Sequence, residues 1–241
     1  MRGTLESVRP RARIAAIIPT LDEEGAIGPV LAAIPRGWVD QIIVVDGGSH
    51  DGTVGEAHAA GATVLVERKR GYGLACASGA SAAIEDGAEV LVFLDGDGSD
   101  RPEGIPALVQ PILDNTHDFV IGSRTRGQRE PGSMGAHQAL AGYAIGAAIG
   151  LVYGVRFTDM CAFRAIRADA LGRLGMREMT YGWNLEMQMR AARDGLRILE
   201  LPVPHGCRLA GKSKVAGTLR GTVKAGFRII ATFARVAREP R

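Results

Sequence analysis

The chain has 241 residues, 46% of them hydrophobic and 23% charged, with 33 glycines and a formal net charge of +3. That length suits one large α/β domain with a full core, the composition excludes a disordered or fibrous chain, and so small a charge excess implies no nucleic-acid partner. The three cysteines, Cys76, Cys161 and Cys207, are an odd number with no close pair, which argues against a disulfide framework or a thiolate zinc site and leaves them as packing residues.

Residues 1–13 form a basic arm with Arg2, Arg9, Arg11 and Arg13 and no apolar stretch, so they are not a secretory signal and the start reads as cytoplasmic. Four apolar runs follow, Ile14–Ile18, Gln41–Val45, Ala62–Val66 and Val90–Leu94, separated by segments long enough for crossover helices. This β-α repeat predicts a Rossmann-like, mainly parallel central sheet with helices on both faces. Ligands then bind at the carboxyl ends of the strands, where Pro19-Thr20, Asp46-Gly47-Gly48 and Asp95-Gly96-Asp97 fall.

The last of these loops is the most informative. Two carboxylates one residue apart close a buried strand, and Gly96 and Gly98 permit the turn that points both outward. Mg²⁺ takes one or two protein carboxylates and completes its shell with water and substrate phosphates, so Asp95 and Asp97 suit a metal that holds a diphosphate. The plainer alternative is an acidic turn ahead of a helix starting at Pro102. At the second strand end, Asp46 is suited to accept from a nucleobase N–H or a ribose hydroxyl, with Gly47 and Gly48 admitting the ligand to the backbone, while Asp51 reads as a helix N-cap.

A helix is expected at Ile105–Leu113 and a fifth strand at Phe119–Gly122, after which the chain turns basic with Arg124, Arg126 and Arg129. Ala139–Val155 is uncharged and carries Gly142, Gly146, Gly150 and Gly154; at about seventeen residues it reaches the lower limit for a membrane span and reads better as a buried or interfacial helix. A helix at Trp183–Arg193 and a strand at Arg197–Leu201 precede a loop with Arg208, Lys212 and Lys214. Arg124, Arg126, Arg129, Arg208 and Lys214 are candidate phosphate clamps, and each taken alone also reads as a solvated surface charge. From Thr218 to Arg238, a projection at ~100° per residue groups Arg220, Lys224, Arg228, Arg235 and Arg238 within about 80°, opposite Leu219, Val223, Ile229, Ile230, Phe233 and Val236. This basic amphipathic helix, within residues 215–241, either docks on the domain or anchors it on anionic lipid.

Taken together, Ile18-Pro19-Thr20 with Glu24, Val45-Asp46 with Gly48-Ser49 and Asp51-Gly52-Thr53, Arg70-Gly71-Tyr72-Gly73, Asp95-Gly96-Asp97 with Asp100 and Pro102-Glu103, Gly122-Ser123-Arg124, Asp159 with Phe163-Arg164, Glu186-Met187, and Arg208 with Gly211-Lys212-Ser213-Lys214 form an ordered series. It resembles the family-2 glycosyltransferases of GT-A-type fold, and more narrowly the branch containing dolichol-phosphate-mannose synthase and bacterial polyprenyl-phosphate glycosyltransferases. The resemblance implies a catalytic domain over 14–214, with a nucleotide-sugar-binding half at 14–123 and an acceptor half at 124–214. It implies metal-dependent, inverting transfer from a nucleoside-diphosphate sugar of the GDP-mannose or UDP-glucose type to polyprenyl phosphate, with Mg²⁺ or Mn²⁺ as cofactor, at the cytoplasmic face of the inner membrane and in peripheral contact with anionic lipid. Pro19, Thr20, Glu24, Asp46, Gly73, Asp95 and Gly96 would then bind the nucleotide sugar, Asp97 with Asp95 the metal, and Arg124, Arg208, Ser213 and Lys214 the acceptor or its phosphate. Glu186 would be the acidic residue near the acceptor, a base for a sugar hydroxyl but superfluous for an already ionised phosphate.

The chain departs from that pattern at Gly47, where relatives often carry a second aspartate, at Ser99, where close relatives often carry glutamine, and at Lys212, where they carry glutamate. Other readings remain. A glycosyltransferase acting on a soluble acceptor fits the same basic pocket, and a non-catalytic nucleotide-sugar-binding protein fits the same fold. Phe93-Leu94-Asp95-Gly96-Asp97 also resembles the nucleophile motif of haloacid-dehalogenase-like phosphatases, although that motif normally lies near the N-terminus and is followed by a paired acidic loop. The sequence carries no signal of oligomeric state.

Overall fold

A computed structural model describes residues 12–211 and 219–239. The four strands of the β-α repeat are β1 (Ile14–Thr20), β2 (Gln41–Asp46), β3 (Thr63–Val66) and β4 (Val90–Phe93). All four are parallel and lie in the order β3-β2-β1-β4, with α1 (Ile27–Ala33), α2 (Thr53–Ala59) and α3 (Tyr72–Glu85) as the crossovers. Side chains alternate across a strand, and β1 uses both sides. A Cβ on Gly79 of α3 would press against Ile17 and Val45, whereas Ile18 reaches Gly96 beside Ile27 of α1. Helices therefore cover both faces, which is why β1, β2 and β4 read as continuous apolar runs rather than as alternating patterns.

Beyond β4 the sheet changes direction. A 3₁₀ turn at Pro102–Gly104 leads into α4 (Ile105–Leu113) and then β5 (Phe119–Ser123). The strand beside β4, however, is β6 (Arg164–Arg167), antiparallel to both β4 and β5, and β7 (Ile198–Pro202) closes the sheet parallel to β5. The order β3-β2-β1-β4-β6-β5-β7 makes one seven-stranded, mainly parallel sheet. The sequence reading missed β6, together with α6 (Ala168–Leu174) after it.

The uncharged segment forms α5 (Ala136–Tyr153), and no helix among the described residues is long and apolar enough to cross a membrane. Its glycines answer a packing demand: a Cβ on Gly146 would overlap the carbonyl oxygen of Phe157, and one on Gly142 would reach Asp159 and Thr158. The chain returning from α5 thus runs directly along the helix, and the end of that stretch, Asp159, enters the site. α7 (Trp183–Arg193) packs on the sheet through an edge-on contact of Trp183 with Phe93, ring centroids 6.4 Å apart. α8 (Leu219–Arg238) docks on the domain: Thr232 and Val236 are buried, and Tyr153 donates to the Val236 carbonyl. Phe227 and Ile230 are each 71% exposed on its outer side.

Candidate active site

The carboxyl ends of β1, β2 and β4 converge as the β-α repeat requires, and two of the loops are tied to one another. The Asp46 carboxylate is 2% exposed and accepts from the N–H groups of Gly48 (2.9 Å) and Ser49 (2.8 Å) and from the Ser49 hydroxyl. Ser49 Oγ accepts from Asp22 N–H at 2.8 Å, Thr53 Oγ1 from Glu23 N–H at 2.8 Å, and Asp51 from both Thr53 N–H and Glu24 N–H. Asp46 is therefore the post around which its turn is built. Thr20, beside it at the end of β1, has a buried hydroxyl with no partner among the described residues, and a Cβ on Gly96 would lie 2.7 Å from its methyl group. Pro19 precedes it, half-buried. Glu24 is exposed, its carboxylate against Gly52, while Glu23 is buried and turns into the site.

The loop after β4 gathers three carboxylates. Asp97 Oδ1 accepts from Ser99 through its N–H (2.9 Å) and hydroxyl (2.7 Å), which leaves Oδ2 to face Arg208 Nη1 at 3.0 Å. Arg208 Nη2 in turn lies 2.7 and 2.8 Å from the two carboxylate oxygens of Glu23. Asp100 is buried and accepts from Asp95 N–H at 3.1 Å, with His205 Nδ1 at 3.8 Å on its other oxygen. Removal from bulk water, then the charges of Asp100 and Asp97, push the Asp95 carboxyl up to about 8, against the pull of Arg124 and Arg208. A recess so crowded with anions favours added positive charge.

The segment after β7 lies over this loop and supplies Arg208. His205 bridges to Asp100 and Arg129, Gly206 N–H donates to Ser99, and Leu209 N–H donates to the Asp97 carbonyl at 2.9 Å. Gly98, at φ +79°, is where the loop turns beneath Leu209, a conformation that suits glycine. On the other side, Arg124 at the end of β5 is locked to Asp159: its Nε and Nη2 bond the two carboxylate oxygens at 2.8 Å each, and its backbone N–H adds a third bond at 2.9 Å. Such a fork fixes the guanidinium plane.

Gly73 lies in the first turn of α3, where a side chain would overlap the Glu178 backbone. Glu186 is fully buried on α7, its carboxylate taken up by Arg177 N–H, Glu178 N–H, Arg190 and Arg235. The structure thus brings together Asp95, Asp97, Gly96, Thr20 and Arg208, and sets Glu186 in an ionic cluster of its own. Ser213 and Lys214, like Lys212, lie outside the described residues, as do residues 1–11 of the basic arm. Three further residues take parts that the sequence reading did not assign to them. Glu23 was hidden by the adjacent Glu24, whereas the tight spacing of Asp97 and Asp100 after an apolar run was a usable signal for Asp100. Arg235 was grouped with the outward basic face, but it points inward to Glu186 at 2.9 Å. Cys207, expected to pack, is exposed.

A doubly covered parallel sheet whose strand ends open on an acidic recess flanked by fixed arginines is the architecture of a GT-A transferase. The chain belongs to glycosyl transferase family 2, whose family model matches residues 15–175. It is 35% identical over 212 residues to an uncharacterized glycosyltransferase of Mycobacterium tuberculosis, covering 87% of this chain and 93% of the relative. It is 34% identical over 227 residues to the undecaprenyl-phosphate mannosyltransferase of Micrococcus luteus, covering 87% and 90%. Among solved structures, glucosyl-3-phosphoglycerate synthase from Mycobacterium tuberculosis, in complex with Mn²⁺, UDP-glucose and phosphoglyceric acid, shares the fold with a TM-score of 0.75 at 24% identity, over 95% of this chain and 81% of that one.

Proposed function

We propose that the protein transfers a sugar from a nucleoside-diphosphate sugar, of the GDP-mannose or UDP-glucose type, to polyprenyl phosphate with inversion at the anomeric carbon. The observation that carries this reading is the recess of Asp95, Asp97 and Asp100 at three converging strand ends, faced by Arg208 and Arg124. Among the described residues no three ligating side chains converge on one ion, so Mg²⁺ or Mn²⁺ would rest on one or two of these carboxylates. Asp97 has one oxygen oriented by Ser99 and the other turned toward a cation, here the Arg208 guanidinium, so the donor set suits a hard ion taking one or two carboxylates. Asp97 would hold that ion with Asp95 beside it, and the metal would supply Lewis-acid stabilisation of the leaving diphosphate.

The other roles belong to the chain's own groups. Pro19 and Thr20 form the nucleoside wall, the orphan Thr20 hydroxyl being free to bond the donor. Asp46 holds the turn of Gly47 and Gly48 in shape, and Gly73 and Gly96 let the walls of the site close on the Glu178 backbone and on Thr20. Arg124, its plane fixed by Asp159, and Arg208, which would be free of Asp97 wherever that carboxylate held the ion, would meet phosphate oxygens, joined in this proposal by Ser213 and Lys214. A phosphate acceptor is ionised near neutral pH and needs no base, which agrees with a Glu186 whose oxygens are all engaged. The name of the Micrococcus luteus relative supports the lipid phosphate as acceptor. Support for a peripheral position at the cytoplasmic face comes from the outer side of α8, where Phe227 and Ile230 stand exposed beside Arg228 and Arg238.

Calorimetry with UDP, GDP and dTDP in the presence of Mn²⁺, followed by transfer assays on a short prenyl phosphate, tests the proposal. One nucleotide should bind and its sugar should be transferred. Asp97→Asn should keep the fold and lower turnover by at least about a hundredfold. No binding of any nucleotide, or near-normal turnover in Asp97→Asn, refutes the donor and metal assignment. Transfer only to a soluble sugar hydroxyl or a small phosphorylated acid refutes the lipid acceptor.

A further inference from the structure

α8 is attached to the domain by charge as well as by apolar packing, and its charged contacts end on the segment that shapes the start of α3. Arg235 Nη1 bonds Glu186 at 2.9 Å, and Thr232 Oγ1 bonds Glu178 at 3.0 Å. Glu239, just past α8, joins Arg190 and Arg193 of α7 at 2.9 and 3.1 Å. Glu186 also accepts the N–H groups of Arg177 (2.9 Å) and Glu178 (2.5 Å), and Glu178 accepts Thr180 N–H at 2.9 Å. Residues 177–180 are thus pinned from the α7–α8 side by two buried carboxylates.

The opposite side of that segment is the wall of the recess. Leu74 N–H donates to the Met179 carbonyl at 2.9 Å, and a side chain at Gly71 or Gly73 would overlap the carbonyl oxygens of Met179 and Glu178. Between those glycines Tyr72 starts α3, which packs through Gly79 on Ile17 and Val45 of the strands that end at the recess, and removal from water, then the Asp95 charge, raises its phenol well above the ordinary value. A shift of the 177–180 backbone therefore moves the first turn of α3, because packing this close leaves no slack.

We propose that Glu186 and Glu178 are positioning residues that couple the docking of α8 to the donor end of the recess. The inference rests on the reading of Gly73 and Asp95 as donor-site residues, and it gives Glu186 a role in place of a base. It makes α8 part of the donor site's construction, so that whatever displaces α8 lowers donor affinity.

Hydrogen exchange and nucleotide calorimetry on the full chain test this, using Arg235→Ala, Thr232→Val and Glu186→Gln, with Arg235→Lys as the charge-conserving variant. In Arg235→Ala, amide exchange should rise in residues 226–239 and also in residues 71–76, and the affinity for the nucleotide that the wild type binds with Mn²⁺ should fall about fivefold or more. Donor KM should rise with kcat at saturating donor retained, and Arg235→Lys should recover most of both. Thr232→Val, which removes one hydroxyl, should show the same pattern more weakly in a chain that folds. Loosened α8 with wild-type exchange at 71–76 and wild-type nucleotide affinity overturns the coupling, as does an α8 that stays protected in Arg235→Ala. A wild type that binds no nucleotide refutes the donor assignment instead, while the exchange data still decide whether α8 and α3 are coupled.

Discussion

Arg208 Nη1 lies 3.0 Å from Asp97 Oδ2, so the carboxylate best placed to hold a metal is paired with a cation that the chain itself supplies. The same guanidinium spans to Glu23, which gives it a second resting place when the first is taken. In the proposed reading, Arg208 is then a competitor of the metal before it is a partner of phosphate. A partly exposed pair of this kind contributes up to about 1 kcal/mol, or roughly fivefold in affinity. Arg208→Gln should therefore bind Mn²⁺ severalfold more tightly in the absence of nucleotide, read from the free-ion paramagnetic resonance signal, yet transfer sugar more slowly. Unchanged or weaker Mn²⁺ binding would remove the competition from the account.

The close approach of α5 to residues 157–159 makes a second expectation quantitative. Gly146→Ala inserts a methyl group where the Phe157 carbonyl stands, and overpacking of this kind costs about 1–3 kcal/mol. For a chain of this size each kcal/mol lowers the melting temperature by about 2–4 °C. Gly55→Ala in α2, where nothing lies within 4 Å, should instead raise stability by up to about 1 kcal/mol. Because Asp159 ends the displaced stretch and fixes Arg124, transfer in Gly146→Ala should fall at temperatures where the fold is intact. Equal melting temperatures for the two variants would contradict the packing argument.

Acid should find the carboxylates that hold the second half together. Burial pushes the Glu186 carboxyl up, but the Glu178 and Arg177 N–H groups with Arg235 and Arg190 outweigh it and hold the group below its ordinary value near 4.5. A carboxylate depressed on folding stabilises the protein fully above its unfolded value, and that contribution is lost as pH falls below about 4.5 toward the folded value. Asp159, held below 3.8 by Arg124 against its own burial, acts in the same direction at lower pH. Denaturant midpoints measured down the acid limb should decline from about pH 4.5 in the wild type and less steeply in Glu186→Gln. Parallel acid limbs would take Glu186 out of the explanation.

Membrane attachment, in the proposed reading, uses the outer side of α8. Each arginine near an anionic surface contributes about 1 kcal/mol and is screened beyond a Debye length. Flotation with phosphatidylglycerol vesicles should be strong at low salt and reversed at high salt, and Phe227→Glu with Ile230→Glu should abolish it while transfer to a water-soluble prenyl phosphate persists. Salt-independent flotation, or flotation unaffected by the two substitutions, would point to another surface.

The parts of the molecule legible in the sequence are those governed by local pattern. Apolar runs buried on both faces announce β1, β2 and β4, and the abrupt passage from Leu94 to Asp95 marks the site. β6 was illegible because Arg164-Ala165-Ile166-Arg167 has no strand pattern: Arg164 is fully buried, its guanidinium bonded to the Cys161 and Asn184 carbonyls, which only the tertiary fold supplies. The inward turn of Arg235 is of the same kind. A helical projection groups side chains by angle, and the partner that draws one of them inward lies on another helix. Glu23 and Glu24 differ by one position, and the tie from Glu23 N–H to Thr53 accompanies the turn that sends one carboxylate inward and leaves the other exposed.

The insertion of β6 between β4 and β5 also sets an order of assembly. β5 finds its strand neighbours in β6 and β7, both synthesised after it, and β4 waits for β6 on one edge. A nascent chain that has reached Ser123 therefore carries three bare strand edges, one on β4 and both on β5, the condition that slows folding and invites association with other chains. The recess completes later still, since Arg208 and the segment covering the acidic loop follow β7. Sheet closure and site assembly thus both wait for the second half of the chain, and a fragment ending at the first half has neither.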